Sequence, residues 1–158
     1  MIQRIQTIYL LISITCLSIL AFGKTTIIIF FGTTMERFQL TAYGIANQEQ
    51  TPSSSVFNLP LYIFFYVLIT LLAFGLFSFK NLKRQSLLIK ISIALYLLLI
   101  GIVTIIYFFN DLKIDNVQLN AQFTTGFFIL CIGFPALILA NNGIKRDKKM
   151  IDSLNRLR

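Results

Sequence analysis

Histidine is absent from this 158-residue chain, which removes the commonest general acid-base group and the commonest transition-metal ligand from any site. Acidic side chains are few. Glu36, Glu49, Asp111, Asp115, Asp147 and Asp152 are the whole set, and all six lie outside the long apolar runs. Proton- and cation-coupled carriers keep ionisable groups near the membrane midplane, so coupled transport by this chain alone is not expected. Charged residues make up 13% of the chain, against roughly 25% in an average soluble domain. With 56% hydrophobic residues and a mean hydropathy of +0.79, the composition excludes a soluble globular protein. The two cysteines, Cys16 and Cys131, sit inside apolar runs, which argues against a disulfide framework and for two buried free thiols.

Chemical motifs are equally sparse. No glycine-rich phosphate loop, Cys/His metal cluster or Ser/His/Asp set can be assembled. Ser13 and Ser18 with Lys90 come nearest to a Ser-Lys pair, but a hydroxyl inside a span more often bonds its own helix. No catalysis, metal or cofactor is expected.

What the chain does have is a last third in which an uncharged run ends in a basic tail. From Phe123 to Ala140 there is no charged side chain, enough to cross a bilayer as a helix. Gly126, Gly133, Ala136, Ala140 and Gly143 follow at steps of seven, three, four and three, which places all five on one helix face. Such a smooth face lets another helix approach closely, since association in lipid depends on packing. Pro135 removes one backbone bond in mid-helix and predicts a kink. The tail, residues 144–158, carries Lys145, Arg146, Lys148, Lys149, Arg156 and Arg158 against two acids, with Ile151, Leu154 and Leu157 three apart. It reads as an amphipathic helix continuing from the last span along the membrane surface; it lacks aromatic side chains to stack on bases, which argues against RNA.

Spans are expected at residues 5–23, 60–79, 86–109 and 123–143, with outer loops at 24–59 and 110–122. The first span has two rivals. One is a cleaved signal peptide, disfavoured because only Arg4 precedes the run and no small-x-small site follows cleanly. The other is a helix continuing to Phe31, which would bury Lys24 at a cost of about 2.5 to 3.5 kcal/mol. Thr, Ile and Phe dominate residues 25–31, Gly32 supplies a turn, and Phe38, Leu40 and Ala42 alternate beyond it, so a β-hairpin is expected instead. Ile114, Val117 and Leu119 suggest a third strand, since a lone hairpin is marginal. Residues 44–58, with Pro52 and three serines, read as a polar loop. Tyr62, Phe64, Phe65, Tyr66, Phe74, Phe77 and Phe79 read as lipid-facing or interfacial, and Lys90 as a lysine whose ammonium snorkels to the headgroups.

Positive residues orient the chain. Eleven of the fourteen, Arg4, Lys80, Lys83, Arg84 and Lys90 among them with the six of the tail, fall on one side; Lys24, Arg37 and Lys113 fall on the other. Both termini are therefore expected in the cytoplasm. The opening Met1-Ile-Gln-Arg-Ile-Gln-Thr-Ile-Tyr-Leu-Leu and the closing Ala140-Asn-Asn-Gly-Ile-Lys-Arg-Asp-Lys-Lys, ending in Arg156-Leu157-Arg158, resemble a family of small bacterial membrane proteins catalogued as domain of unknown function 4293. Here Lys148 follows Asp147 where that family's pattern suggests an acid. The resemblance implies the inner membrane of bacteria with two membranes and assigns no activity.

The fold class expected is an all-α integral membrane protein, four transmembrane helices with a small outer β-hairpin or three-stranded sheet. The expected role is a non-enzymatic accessory or scaffold subunit, with membrane lipids and a membrane-protein partner or second copy as partners and no nucleic acid. Handling of lipid or a small solute is the alternative, because helices with a kink can form a groove without charges.

Overall fold

The structure, a computed structural model, describes residues 3–23, 25–31, 37–47, 55–57, 61–78, 82–108 and 120–156. Helix α1 (Gln3–Phe22) is followed by strands β1 (Ile28–Phe31), β2 (Arg37–Thr41), β3 (Gly44–Asn47) and β4 (Ser55–Phe57), then by helices α2 (Leu61–Phe77) and α3 (Leu82–Phe108), strand β5 (Asn120–Phe123) and helix α4 (Thr125–Arg156). Among the described residues α1, α3 and α4 are long and apolar enough to cross a membrane, while α2 is apolar and shorter.

The first helix ends at Phe22, where the Gly23 amide donates to the Ile19 carbonyl at 2.8 Å and the chain departs. The continuous-helix alternative to Phe31 is thereby excluded, since 28–31 is a strand. Antiparallel pairing of β1 with β2 sets Ile28 opposite Leu40 and Phe30 opposite Phe38. Phe38, Leu40 and Ala42 are buried, as their alternation predicts. The sheet is larger than expected, however, with five strands in the order β4-β3-β2-β1-β5.

Two strands, β3 and β4, lie where a polar loop was expected. The deciding residues are Ala42 and Tyr43, a two-residue connection closed by Gly44, whose φ of 136° suits glycine. That turn returns the chain alongside β2 and puts Ile45 into the buried row with Leu40 and Ile28. The strand contributed by the second connecting segment is β5, at 120–123 and paired with β1; Ile114, Val117 and Leu119 lie outside the described residues. Its apolar side adds Phe123 opposite Ile28 and Ala121 opposite Phe30. Hence one sheet face joins the same core as the helices.

Helix packing is dominated by α1 against α4, with α2 on α1 and α3 on both α2 and α4. Gly133 lies beside Cys16 and Gly143 beside Gln6, so α1 and α4 run antiparallel. At the sheet end the Thr124 and Gly126 amides donate to the Ile27 and Thr26 carbonyls, both at 3.1 Å. These bonds make the β1–β5 pair a direct continuation of the α1–α4 pair. Phe65, expected to be lipid-facing or interfacial, is instead fully buried and Phe64 is half-buried, whereas Tyr62, Tyr66, Phe74 and Phe77 are exposed; Phe79 lies outside the described residues. The reason is position on the helix: Leu61, Phe65, Leu68 and Leu72 form the buried stripe of α2 at spacings of three and four.

α4 begins at Thr125, two residues after Phe123, which belongs to β5, and runs through Pro135 to Arg156. The basic segment up to Arg156 thus continues this helix, as expected. α3 begins at Leu82, ahead of the expected residue 86.

Candidate functional site

The small-residue stripe of α4 is covered by its own chain. A Cβ added at Gly126 would meet the backbone of the segment leaving α1, with Thr26 C at 3.0 Å and Ile27 Cα at 3.2 Å. At Gly133 it would run into the Tyr96 hydroxyl and touch Cys16 Cβ at 3.3 Å, and at Gly143 it would come within 2.7 Å of Gln6 Cγ. Ala136 and Ala140, on the same stripe, are buried. The smooth face is therefore taken up by α1 and the segment leaving it, with Tyr96 of α3 also reaching it at Gly133. A second protein has no open access to that face, so any partner must use another surface.

Several hydroxyls inside the helices are engaged with backbone. The Ser13 hydroxyl of α1 donates across to the Gly133 carbonyl at 3.0 Å, with the Tyr9 carbonyl at 3.2 Å. Tyr96 of α3, fully buried, donates to the Leu130 carbonyl at 2.9 Å. Both acceptors flank the turn that Pro135 deprives of an amide, so two neighbouring helices support the weakened stretch. Thr15 and Ser18 bond the Ile12 and Thr15 carbonyls of their own helix at 2.8 and 2.9 Å. Ser13 is thus not available as the hydroxyl of a Ser-Lys pair, and Lys90 is exposed on α3. Cys16 and Cys131 are free and half-buried.

At the end away from the sheet, α1 and α4 meet through a polar contact. Gln6 Nε2 donates to Asp147 Oδ2, joining the first turns of α1 to the basic segment of α4, and both side chains are buried. Asp147 Oδ1 and Asn141 Oδ1 are buried without a partner among the described residues. Sequence reasoning passed over Gln6, Tyr96 and Asp147. One signal was available for Asp147, a lone acid flanked by Lys145, Arg146, Lys148 and Lys149.

Beside this contact an open groove of about 640 Å³ runs between the two helices. Ile5, Gln6 and Tyr9 line it from α1; Leu139, Asn142 and Gly143, then Lys145, Arg146 and Lys149, line it from α4. The basic residues of the sequence thus separate. Lys145, Arg146 and Lys149 are exposed along the groove, while Lys148 is half-buried and outside it. The Arg156 side chain and Arg158 lie outside the described residues.

Among the described residues, four helices, three of them long and apolar enough to cross a membrane, with an antiparallel sheet at one end, define the class. Within it the chain belongs to the family described as Domain of unknown function (DUF4293), whose model matches residues 2–157. No curated protein matches the chain.

Proposed function

We propose that this is a four-span protein of the bacterial inner membrane, a four-helix bundle with both termini in the cytoplasm and the sheet on the outer side. It acts without enzymatic chemistry, as an accessory or scaffold subunit. α2, with 17 residues, supplies about 25 Å of helix, at the short end for a span. The excess of cations at the end bearing the termini supports the orientation.

The observation that carries the contact role is the apolar outer surface. Ile8, Leu11, Ile63, Val67, Leu97, Leu98, Ile105, Phe128 and Ile132 are all exposed, so every helix turns large aliphatic or aromatic groups outward. Meanwhile Ser13, Ser92 and Tyr96, hydroxyls buried within the helices, bond backbone, which leaves them without a part in a polar pathway. Cross-linking in native membranes followed by purification in mild detergent is expected to recover a stoichiometric partner bound to this surface. Recovery of the chain alone would refute the scaffold reading. Reporter fusions at either terminus are expected to report the cytoplasm, and a fusion within residues 48–54 the periplasm.

The alternative, handling of a lipid or small solute, draws support from the groove between α1 and α4. Reconstitution into sealed vesicles, with solute flux and lipid scrambling measured, separates it from the first reading.

A further inference from the structure

The groove between α1 and α4 is graded along its length. Leu139, with Tyr9 opposite, forms an apolar stretch; Asn142 and Gln6 follow with amide groups; Lys145, Arg146 and Lys149 come last, with Ile5 at their level. From Leu139 to Lys149 the helix rises about 15 Å. A glycerophospholipid presents the same order over a similar length, from acyl chain through ester carbonyls to phosphate. Charge complementarity is one-sided, since three cations and no carboxylate line the groove, and Asp147 lies behind it bonded to Gln6.

We propose that this groove binds one anionic glycerophospholipid of the leaflet facing the termini, its phosphate held by Lys145, Arg146 and Lys149 and its first chain segments lying on Tyr9 and Leu139. The amides of Asn142 and Gln6 face the ester region, where hydrogen bonds to carbonyl oxygens are available. This rests on the membrane reading above and adds a defined lipid to it. It also gives the basic segment a division of labour: three of its cations hold one headgroup, and Lys148 contributes only to general attraction by the surface.

The chain has no tryptophan, so one introduced indole reports locally. Leu139→Trp, at an exposed groove position, is reconstituted into phosphatidylcholine vesicles containing increasing mole fractions of brominated phosphatidylglycerol, with brominated phosphatidylcholine as reference. Tyr9→Trp serves as a second reporter from the opposite wall. Each engaged cation favours an anionic headgroup by about fivefold. Quenching is therefore expected to show at least about fivefold preference for phosphatidylglycerol over phosphatidylcholine. K145Q/R146Q/K149Q should abolish the preference. K83Q/R84Q/K148Q removes the same charge at the same end of the molecule and should preserve it.

Equal losses in the two triple variants would show diffuse surface attraction and overturn the proposal. So would quenching that tracks bulk mole fraction, or loss of the preference in millimolar inorganic phosphate, which would assign the groove to a soluble anion. Resistance of the parent chain to alkaline extraction from membranes is measured in parallel. Extraction would sink the membrane reading itself, whereas retention without headgroup preference would sink only the lipid site.

Discussion

Gly133→Ala is the most informative single change, because one methyl group would test the packing of three helices. The added Cβ collides with the Tyr96 hydroxyl and touches Cys16 Cβ at 3.3 Å. Overpacking costs about 1 to 3 kcal/mol, and displacing the Tyr96 hydroxyl from the Leu130 carbonyl costs about 1 more. Alanine recovers about 1 kcal/mol in helix propensity over glycine. The net is a destabilisation of about 2 kcal/mol, near thirtyfold in the folding equilibrium. Tyr96→Phe alone loses the hydrogen bond, for about 1 kcal/mol. Combined with Gly133→Ala it also removes the atom that clashes, leaving the ring carbon Cζ at an ordinary 3.4 Å from the new Cβ. The double variant is expected within about 1 kcal/mol of the parent, a favourable coupling of about 2 kcal/mol. Unfolding titrations with dodecyl sulfate in mixed micelles, followed by far-ultraviolet circular dichroism, give the four values of the cycle. Additive effects would refute the assigned contact between Gly133 and Tyr96.

Gly126→Ala should destabilise by about 2 to 3 kcal/mol, because the obstructing atoms are backbone of Thr26 and Ile27 and cannot rotate away. Gly101→Ala meets nothing within 4 Å and should instead stabilise by up to about 1 kcal/mol in the same titration. Gln6→Leu leaves both Asp147 oxygens buried without a partner and should cost about 1 to 3 kcal/mol, most of it restored by adding Asp147→Leu. Tyr43→Phe removes the bond from the tyrosine hydroxyl to the Ala21 carbonyl at 3.0 Å, which ties the sheet to the last turn of α1. It should lower stability by about 1 kcal/mol and speed amide exchange in β2 and β3 more than in the helices.

Much of this architecture was legible in one dimension. Uninterrupted apolar runs bounded by cations mark four helices, because a helix satisfies its own backbone and needs no distant partner to be recognised. The β1–β2 hairpin shows for a similar reason, its period of two and its turn being local. The third and fourth strands did not show, since Ser, Thr and Asn around 44–58 carry no alternation; a ladder to β2 holds β3 in place. The small-residue stripe of α4 was visible as a face, but its occupant was not. Spacing shows that some helix can approach closely, and only the antiparallel register with α1 shows which one.

The candidate site divides in the same way. Six cations after the last span are plain from the residues, and so is their attraction to an anionic surface. That three of them share a groove with Ile5, Gln6 and Tyr9, well over a hundred residues earlier in the chain, is a property of the fold. Charge and hydropathy are carried by each residue wherever it stands, whereas a concave surface exists only between two elements, and its shape is set where side chains from both ends of the chain come into contact.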